Sequence, residues 1–189
     1  MRGEVGGKTM AAMALTYMGN PVLREVAEPV RKVNAEIKKL VAQMFETMAL
    51  ENGIGLAAPQ VGVNKRVIVL DLSHEGIKPF ALINPEIIKA SGSDTADEGC
   101  LSIPGVYLPV CRPSKIKIRA RDLNDRQVIM EASELLARAI QHEIDHLDGK
   151  LFVDMVEDKE ALERELVDFN ARMGGKIVGE AKSPEAVLK

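Results

Sequence analysis

A chain of 189 residues, 46% of them hydrophobic, is long enough for one packed core, and no apolar stretch approaches the roughly 20 residues that span a bilayer. Its formal net charge of -3, with both signs interspersed, lacks the basic stripe of a DNA-binding protein, so we expect neither a DNA partner nor a membrane partner. Two cysteines are too few for a disulfide framework and indicate a reducing compartment, which predicts a cytoplasmic location.

Composition divides the chain into three parts. Residues 1–12 are rich in glycine and small residues, which predicts a disordered N-terminal extension without the features of a signal peptide. Residues 13–175 predict a single domain, since neither a repeat nor an internal linker interrupts them. Residues 176–189 predict a flexible C-terminal tail.

The first predicted element is an amphipathic helix over residues 35–50. Its apolar positions recur at helical spacing and form one stripe, made of Ile37, Leu40, Val41, Met44, Phe45 and Met48. Asn52 and Gly53 form a helix-stop signal. The glycine-rich segment 53–62 follows, where the backbone can approach a ligand closely.

Strands and two more helices follow in the second half. Segments 66–72, 81–88, 115–120 and 128–130 are rich in β-branched and aliphatic residues, and Asn124-Asp125 predicts a hairpin turn. Ser133 is expected to cap a helix with Leu136, Ile140 and Leu147 on one face, which stops at Gly149. A last helix over residues 159–173 carries Leu162, Leu166 and Phe169 on one side.

The predicted second helix contains an H-E-x-x-H motif. His142 and His146 lie four residues apart, one helical turn on the same face, so both can bind one metal ion. Glu143 lies beside them and can reach a water on that ion. The motif also occurs by chance, and the alternative is that both histidines only pack or cap within a core.

A catalytic metal site needs a third protein ligand. Downstream, Glu157, Glu160 and Glu163 are possible carboxylate ligands, but they are more simply explained as the solvated face of the last helix. Upstream, Cys100 follows the flexible Gly99. Two imidazoles and a thiolate would leave a fourth, tetrahedral position for water, which is typical of catalytic rather than structural sites.

Three segments together match the signature of the peptide deformylases. They are residues 53–60 (GIGLAAPQ), 98–102 (EGCLS) and 141–147 (QHEIDHL), and a looser similarity extends from about residue 17 to residue 154. The chain thus resembles the bacterial type of this family, which removes the N-formyl group from the starting methionine of new proteins and releases formate. With the elements above, the resemblance predicts an α+β fold, a mostly antiparallel sheet packed around a central H-E-x-x-H helix, with an N-terminal and a C-terminal helix.

The resemblance also implies a role for individual residues. It makes Cys100, His142 and His146 the metal ligands and Glu143 the general acid and base. The Gln60 side-chain amide and the Leu101 backbone N–H would donate to the developing oxyanion. The substrate would be bound by the backbone of Gly55, by Gly99, and by a methionine pocket lined by Ile54, Glu98, Leu135, Ala139 and the flank of His142.

Two positions depart from familiar members of the family. Tyr107 stands where some deformylases have an arginine that contacts the peptide backbone, and Arg138 stands where the methionine pocket is often apolar. Both departures concern substrate preference rather than the chemistry.

The family implies one divalent ion per chain, Fe²⁺ in the cell, with Zn²⁺, Ni²⁺ or Co²⁺ able to substitute. It also implies a nascent formyl-methionyl polypeptide as substrate, transient association with the ribosome and a monomeric state. Two other functions stay open at this point. One is a zinc endopeptidase of the H-E-x-x-H type, which the lack of a histidine after His146 disfavours. The other is a non-catalytic structural metal module, which would not need Glu143.

Overall fold

The computed structural model describes residues 11–174, which contain three α-helices and seven β-strands. The helices are α1 (Ala35–Leu50), α2 (Glu134–Leu147) and α3 (Lys159–Met173). The strands are β1 (Gly55–Ala57), β2 (Val67–Leu72), β3 (Ile77–Ser91), β4 (Asp94–Cys100), β5 (Ile103–Arg112), β6 (Lys115–Arg121) and β7 (Gln127–Ser133). The predictions for residues 1–10 and 175–189 concern positions outside the described residues.

Helix α1 begins and ends where the sequence predicted. The Asn34 side chain accepts a hydrogen bond from the Ile37 N–H at 3.0 Å and caps the helix. The predicted apolar stripe is buried, apart from the half-buried Phe45. At the stop signal it is Asn52, with φ 54°, that takes the left-handed conformation, and the Gly53 N–H donates to Met48 O at 2.9 Å.

Five strands form an antiparallel sheet in the order β1-β2-β3-β6-β7. Strands β2, β6 and β7 match the predicted segments to within three residues at each end. The predicted hairpin joins β6 to β7, with Asp125 at φ 65° in the turn. Strand β3 is longer than the predicted 81–88 and continues through Pro79.

Strands β4 and β5 form a separate two-stranded antiparallel sheet, which the sequence did not predict. Polar residues fill most of β4 (DTADEGC), and β5 (IPGVYLPVCR) contains two prolines, which usually argue against a strand. Their pairing nevertheless buries alternate residues of β5. The hairpin carries Glu98 and Cys100 near its turn.

Each of the three helices packs into a different apolar cluster. Helix α2 packs Ala137, Ile140 and Ile144 on the face of the sheet that carries Ile68 and Leu70. Helix α1 packs on the opposite face of β2, and α3 packs Leu162 and Phe169 against the β4–β5 hairpin. The fold is therefore α+β, with antiparallel sheets and three helices. None of the helices in residues 11–174 is long and apolar enough to cross a membrane.

Candidate active site

A cleft of about 450 Å³ lies where the segment after α1, the β4–β5 hairpin and α2 meet. With the exception of His146, all the predicted site residues line it: Ile54, Gly55, Gln60, Glu98, Gly99, Cys100, Leu101, Leu135, Ala139, His142 and Glu143. His146 lies behind the cleft wall and is 1% exposed. Three segments that are distant in sequence thus meet at one place.

Helix α2 positions both histidines. Ser133 occupies the position before its first turn, but within residues 11–174 its side chain does not make the expected capping hydrogen bond. The apolar face of α2 lies on the sheet and anchors the helix, so that His142 and His146 point toward the hairpin. Their ring centroids are 5.0 Å apart, and the His142 ring stacks on Phe152 at 6.0 Å.

Cys100 completes a group of three possible metal ligands. Its Sγ lies 3.2 Å from His146 Nε2, and the donor atoms of Cys100, His142 and His146 all lie within 4.8 Å of one another. A tetrahedral ion with bonds of roughly 2.0–2.3 Å places neighbouring ligand atoms roughly 3.5 Å apart. Within residues 11–174 no other such group occurs, and Glu157, Glu160 and Glu163 are exposed. The donor set therefore fits one ion of the kind that imidazole and thiolate prefer.

The pKa values of the two histidines are shifted in opposite directions. Burial acts to lower the pKa of His142, but contacts with Cys100 and Glu98 outweigh burial and raise that pKa well above its usual value. Burial and the neighbouring His142 lower the pKa of His146 instead. The site thus favours positive charge beside Cys100 but does not accept two charged imidazoles.

Glu98 lies at the centre of a buried ionic cluster. Its Oε2 atom lies 2.9 Å from His142 Nδ1, and Arg112 donates from Nε to Oε1 at 2.5 Å and from Nη2 to Oε2 at 2.9 Å. Burial acts to raise the pKa of Glu98, but the hydrogen bonds from His142 and Arg112 outweigh it and hold the pKa at about 2. A carboxylate on Nδ1 leaves Nε2 of His142 free to bind a metal.

Glu143 is buried at the base of the cleft. Burial raises the pKa of Glu143 to about 7, and its Oε2 atom has no hydrogen-bond partner among the described residues. Gly55 faces this carboxylate so closely that an added Cβ would overlap Glu143 Oε1. The cleft that Cys100 and His142 line therefore holds a carboxylate oxygen that no described residue pairs with, where a water or substrate could use it.

The Gln60 side chain has a fixed orientation. Its Oε1 accepts from the Ala57 N–H at 2.8 Å, so its Nε2 points toward Ser102 Oγ at 3.2 Å and Cys100 Sγ at 3.4 Å. The N-terminal segment fixes the same region, because the Thr16 N–H donates to Gln60 O and the Met18 N–H to Ser102 O. This arrangement aims an amide donor at the space beside the thiol.

The sequence missed several cleft residues. Tyr17 lines the rim although no motif pointed to it. Arg112 contacts Glu98 across the unpredicted β4–β5 pairing, and Ser102, in the turn between the two strands, contacts Gln60. The Tyr107 ring lies against Gly99, where an added Cβ would overlap it. The two departures therefore differ: Tyr107 is 67% exposed at the rim, whereas the Arg138 guanidinium is buried against Glu98. A single sequence gives no signal that distinguishes an exposed side chain at the rim from one whose charged group is buried.

The site combines a thiol and two imidazoles that can hold one ion with a buried carboxylate that has no hydrogen-bond partner in the described part of the chain. Such a combination in an open cleft defines a metal-dependent hydrolase rather than a closed structural site. The sequence model of the family described as polypeptide deformylase matches residues 12–162. Peptide deformylase 2 of Gloeobacter violaceus is 52% identical over 160 residues, which cover 82% of this chain and 85% of that protein.

Solved structures of peptide deformylases are also similar to this chain. The chain resembles a peptide deformylase from Synechococcus elongatus in complex with actinonin, with a TM-score of 0.80 and 47% identity over 82% of this chain and 86% of that one. It also resembles the Met-Ala-Ser-bound class I type b peptide deformylase of Acinetobacter baumannii, with a TM-score of 0.73 and 31% identity over 78% of this chain and 99% of that one.

The chain belongs to the peptide deformylase family, of the bacterial type. It is a metal-dependent hydrolase that removes the formyl group from the N-terminal methionine of newly made proteins. The two alternatives, an endopeptidase and a structural metal module, are thereby set aside.

Proposed function

We propose that Cys100, His142 and His146 hold the catalytic ion and that Glu143 carries the proton in the hydrolysis of formyl-methionyl peptides. The observation that supports this most directly is the buried Oε2 of Glu143, which has no hydrogen-bond partner in residues 11–174 and lies in the cleft that Cys100 and His142 also line. An ion bound there would supply a Lewis acid and lower the pKa of a water molecule. With a pKa near 7, the Glu143 carboxylate can take a proton from the attacking water and return it to the leaving amine nitrogen.

Gln60 and Leu101 are proposed to stabilise the negative charge that develops on the formyl oxygen. The fixed direction of Gln60 Nε2 supports this role, because a donor that is already oriented needs no reorganisation in the transition state. Leu101 follows Cys100 directly and lines the same cleft, so its backbone N–H is a suitable second donor.

The methionine side chain is proposed to bind among Ile54, Leu135, Ala139 and the flank of His142. Ile54 and Leu135 are each 37% exposed at the cleft, so they offer apolar surface without closing it. Glu98 lines the same wall, but its carboxylate is occupied by Arg112, Arg138 and His142 and presents no free charge. Gly55 and Gly99 would lie along the peptide backbone. The Met-Ala-Ser complex of the Acinetobacter baumannii enzyme supports a peptide that begins with methionine as the occupant.

The ion is proposed to be Fe²⁺ in the cell, replaceable by Zn²⁺, Ni²⁺ or Co²⁺. A donor set of one thiolate and two imidazoles suits all four ions, and the order of affinities does not decide which one a cell loads. Metal analysis of protein purified without oxygen tests this assignment.

Membership of the family supports a proposal about where the protein acts and with what it associates. We propose that the protein is a cytoplasmic monomer that associates transiently with the ribosome, which size-exclusion chromatography and co-sedimentation with ribosomes would test.

We also propose that α2 is the central element of the fold, which its packing against β1, β2, β6 and β7 supports.

One assay tests the proposed site as a whole. Peptides of one sequence are offered with a formyl, an acetyl or no group on the N-terminal methionine, and formate release and internal cleavage are measured. We expect turnover of the formyl peptide alone, with formyl-Met and formyl-norleucine preferred over formyl-Asp because the pocket walls are apolar. Internal cleavage would support an endopeptidase, and equal efficiency on formyl-Asp would contradict the pocket assignment.

A further inference from the structure

Arg138 differs from the other residues that line the cleft. Its side chain is 9% exposed, and only its stem can contribute to the cleft wall, because the guanidinium is bonded elsewhere. Nη1 donates to Glu98 Oε1 at 2.7 Å and to Val110 O at 2.8 Å. Nη2 donates to Asp94 O at 2.8 Å and Asp94 Oδ2 at 3.0 Å. The charged group therefore links α2 to both strands of the β4–β5 hairpin.

The bond to Glu98 completes the hydrogen bonding of that carboxylate. A carboxylate has about four acceptor positions. Oε1 accepts from Arg112 Nε and Arg138 Nη1, whereas Oε2 accepts from Arg112 Nη2 and pairs with His142 Nδ1. With every position filled, the carboxylate cannot rotate without breaking a charge-assisted bond.

The spacing of Arg138 and His142 on α2 allows both residues to contact Glu98. Arg138 and His142 lie four residues apart on one face of the helix, and the two residues contact opposite oxygens of Glu98. Two residues further along β4 lies Cys100. The guanidinium of Arg138 thus fixes the distance between the helix that carries the histidines and the strand that carries the thiol.

We propose that Arg138 is a positioning residue for the metal ligand His142. It pins Glu98, and Glu98 in turn keeps the His142 Nδ1–H as a donor and its Nε2 directed at the ion. The inference rests on the proposed ligand role of His142. A carboxylate behind a ligating histidine is generally worth ten- to a hundredfold in metal affinity. Arg138 acts one bond further away while Arg112 still holds Glu98, so its removal has a smaller effect.

Arg138→Leu is the informative variant, because leucine keeps an apolar wall toward the cleft and removes only the guanidinium. We expect the dissociation constant for Zn²⁺, measured by competition with a chromophoric chelator, to rise by roughly three- to thirtyfold. The visible absorption bands of the Co²⁺-loaded protein should shift, since they report the ligand geometry. The KM for a formyl-Met peptide should stay within about twofold, because the wall is kept. Arg138→Lys should recover part of the affinity.

A matched control separates positioning from general stability. Arg121, on β6, likewise donates to two backbone carbonyls and pairs with a carboxylate. Its partners are Val30 O, Arg31 O and the Asp125 carboxylate, none of which lines the cleft. Arg121→Leu should lower the melting temperature without changing Zn²⁺ affinity. An equal loss of affinity in both variants would overturn the proposal.

A double-variant cycle tests the route through Glu98. In a Glu98→Gln background, adding Arg138→Leu should change Zn²⁺ affinity by less than about twofold. The reason is that Arg138 acts on His142 through the Glu98 carboxylate, which this background has already removed. Full additivity, or a change in KM alone, would overturn the proposal. If Arg138→Leu does not fold, Arg138→Gln gives the same comparison. Failure of the wild-type protein to bind Zn²⁺ would instead count against the proposed site itself.

Discussion

One substitution separates the proposed role of Glu143 from that of the proposed metal ligands. In Glu143→Gln the shape is kept but the proton carrier is lost, so we expect kcat to fall by roughly a hundred- to ten-thousandfold. Because the carboxylate is not among the three donor atoms, metal content should stay stoichiometric. Steady-state kinetics with metal analysis measures both quantities, and His142→Ala, which should lose metal and activity together, is the comparison. If the Glu143→Gln protein were metal-free, the carboxylate would be a metal ligand, and this result would contradict the proposed mechanism.

Gly55 is required because of its neighbour rather than its backbone angles. A Cβ at this position would overlap Glu143 Oε1, so Gly55→Ala should displace the carboxylate. We expect kcat to fall by at least about tenfold with metal content unchanged, measured in the same assays. At Gly53 an added Cβ comes closest to the end of the flexible Leu101 side chain, at 2.8 Å, and next to Met48 Cγ, at 3.3 Å. Gly53→Ala should therefore have the smaller effect, and the reverse order would contradict this geometry.

Single residues were predictable from the sequence where spacing carries the chemistry. The two histidines one helical turn apart, and a cysteine in a matching segment, were sufficient to name the three donors that the structure brings within 4.8 Å. The partners behind them were not predictable. Arg112 and Ser102 reach Glu98 and Gln60 only after β4 and β5 have paired, and such contacts between residues distant in sequence leave no local pattern.

Among the elements, long periodic segments were predictable and irregular ones were not. The bounds of α1 and α3 match the predicted ranges, because an amphipathic stripe with clear ends is a strong local signal. Strands β4 and β5 went unpredicted because a polar strand and a strand with two prolines are stabilised by their partner and by α3 rather than by propensity. Strand β4 ends at Cys100, so the missed hairpin is part of the candidate site.

Helix α3 is expected to support substrate binding through one contact. Arg172 Nη2 donates to Gly105 O at 3.2 Å, and Pro104 and Gly105 line the cleft. Removing a hydrogen bond of net worth about 0.5–1 kcal/mol should loosen this turn, so Arg172→Ala should raise KM by roughly two- to fivefold and leave kcat nearly unchanged. Arg164→Ala, an exposed change on the same helix, is the control for Michaelis–Menten measurements. Identical kinetics for the two variants would show that α3 has no such role.

At the scale of the whole molecule, the three donor residues connect two different apolar clusters of the fold. Cys100 belongs to the cluster formed by the hairpin and α3, whereas the apolar face of α2 belongs to the cluster on the five-stranded sheet. The α+β class was predictable from the order of helices and strands, since each element reveals its own period. The packing of the hairpin against α2 was not, because it depends on buried charges whose partners lie about 40 residues apart.

An ion that joins these two parts should stabilise the whole fold. At a free metal concentration of 100 times the dissociation constant, binding adds about 2.7 kcal/mol to the free energy of unfolding. Since each kcal/mol shifts the melting temperature by about 2–4 °C at this size, Zn²⁺ should raise the melting temperature of the chelator-treated protein by roughly 5–10 °C. Calorimetry measures the shift. Cys100→Ser should remove most of it, because a hydroxyl is a poor ligand for these ions. Cys111→Ser, at an exposed thiol 3.0 Å from Ser93 Oγ, should keep it, and the opposite pattern would reverse the ligand assignment.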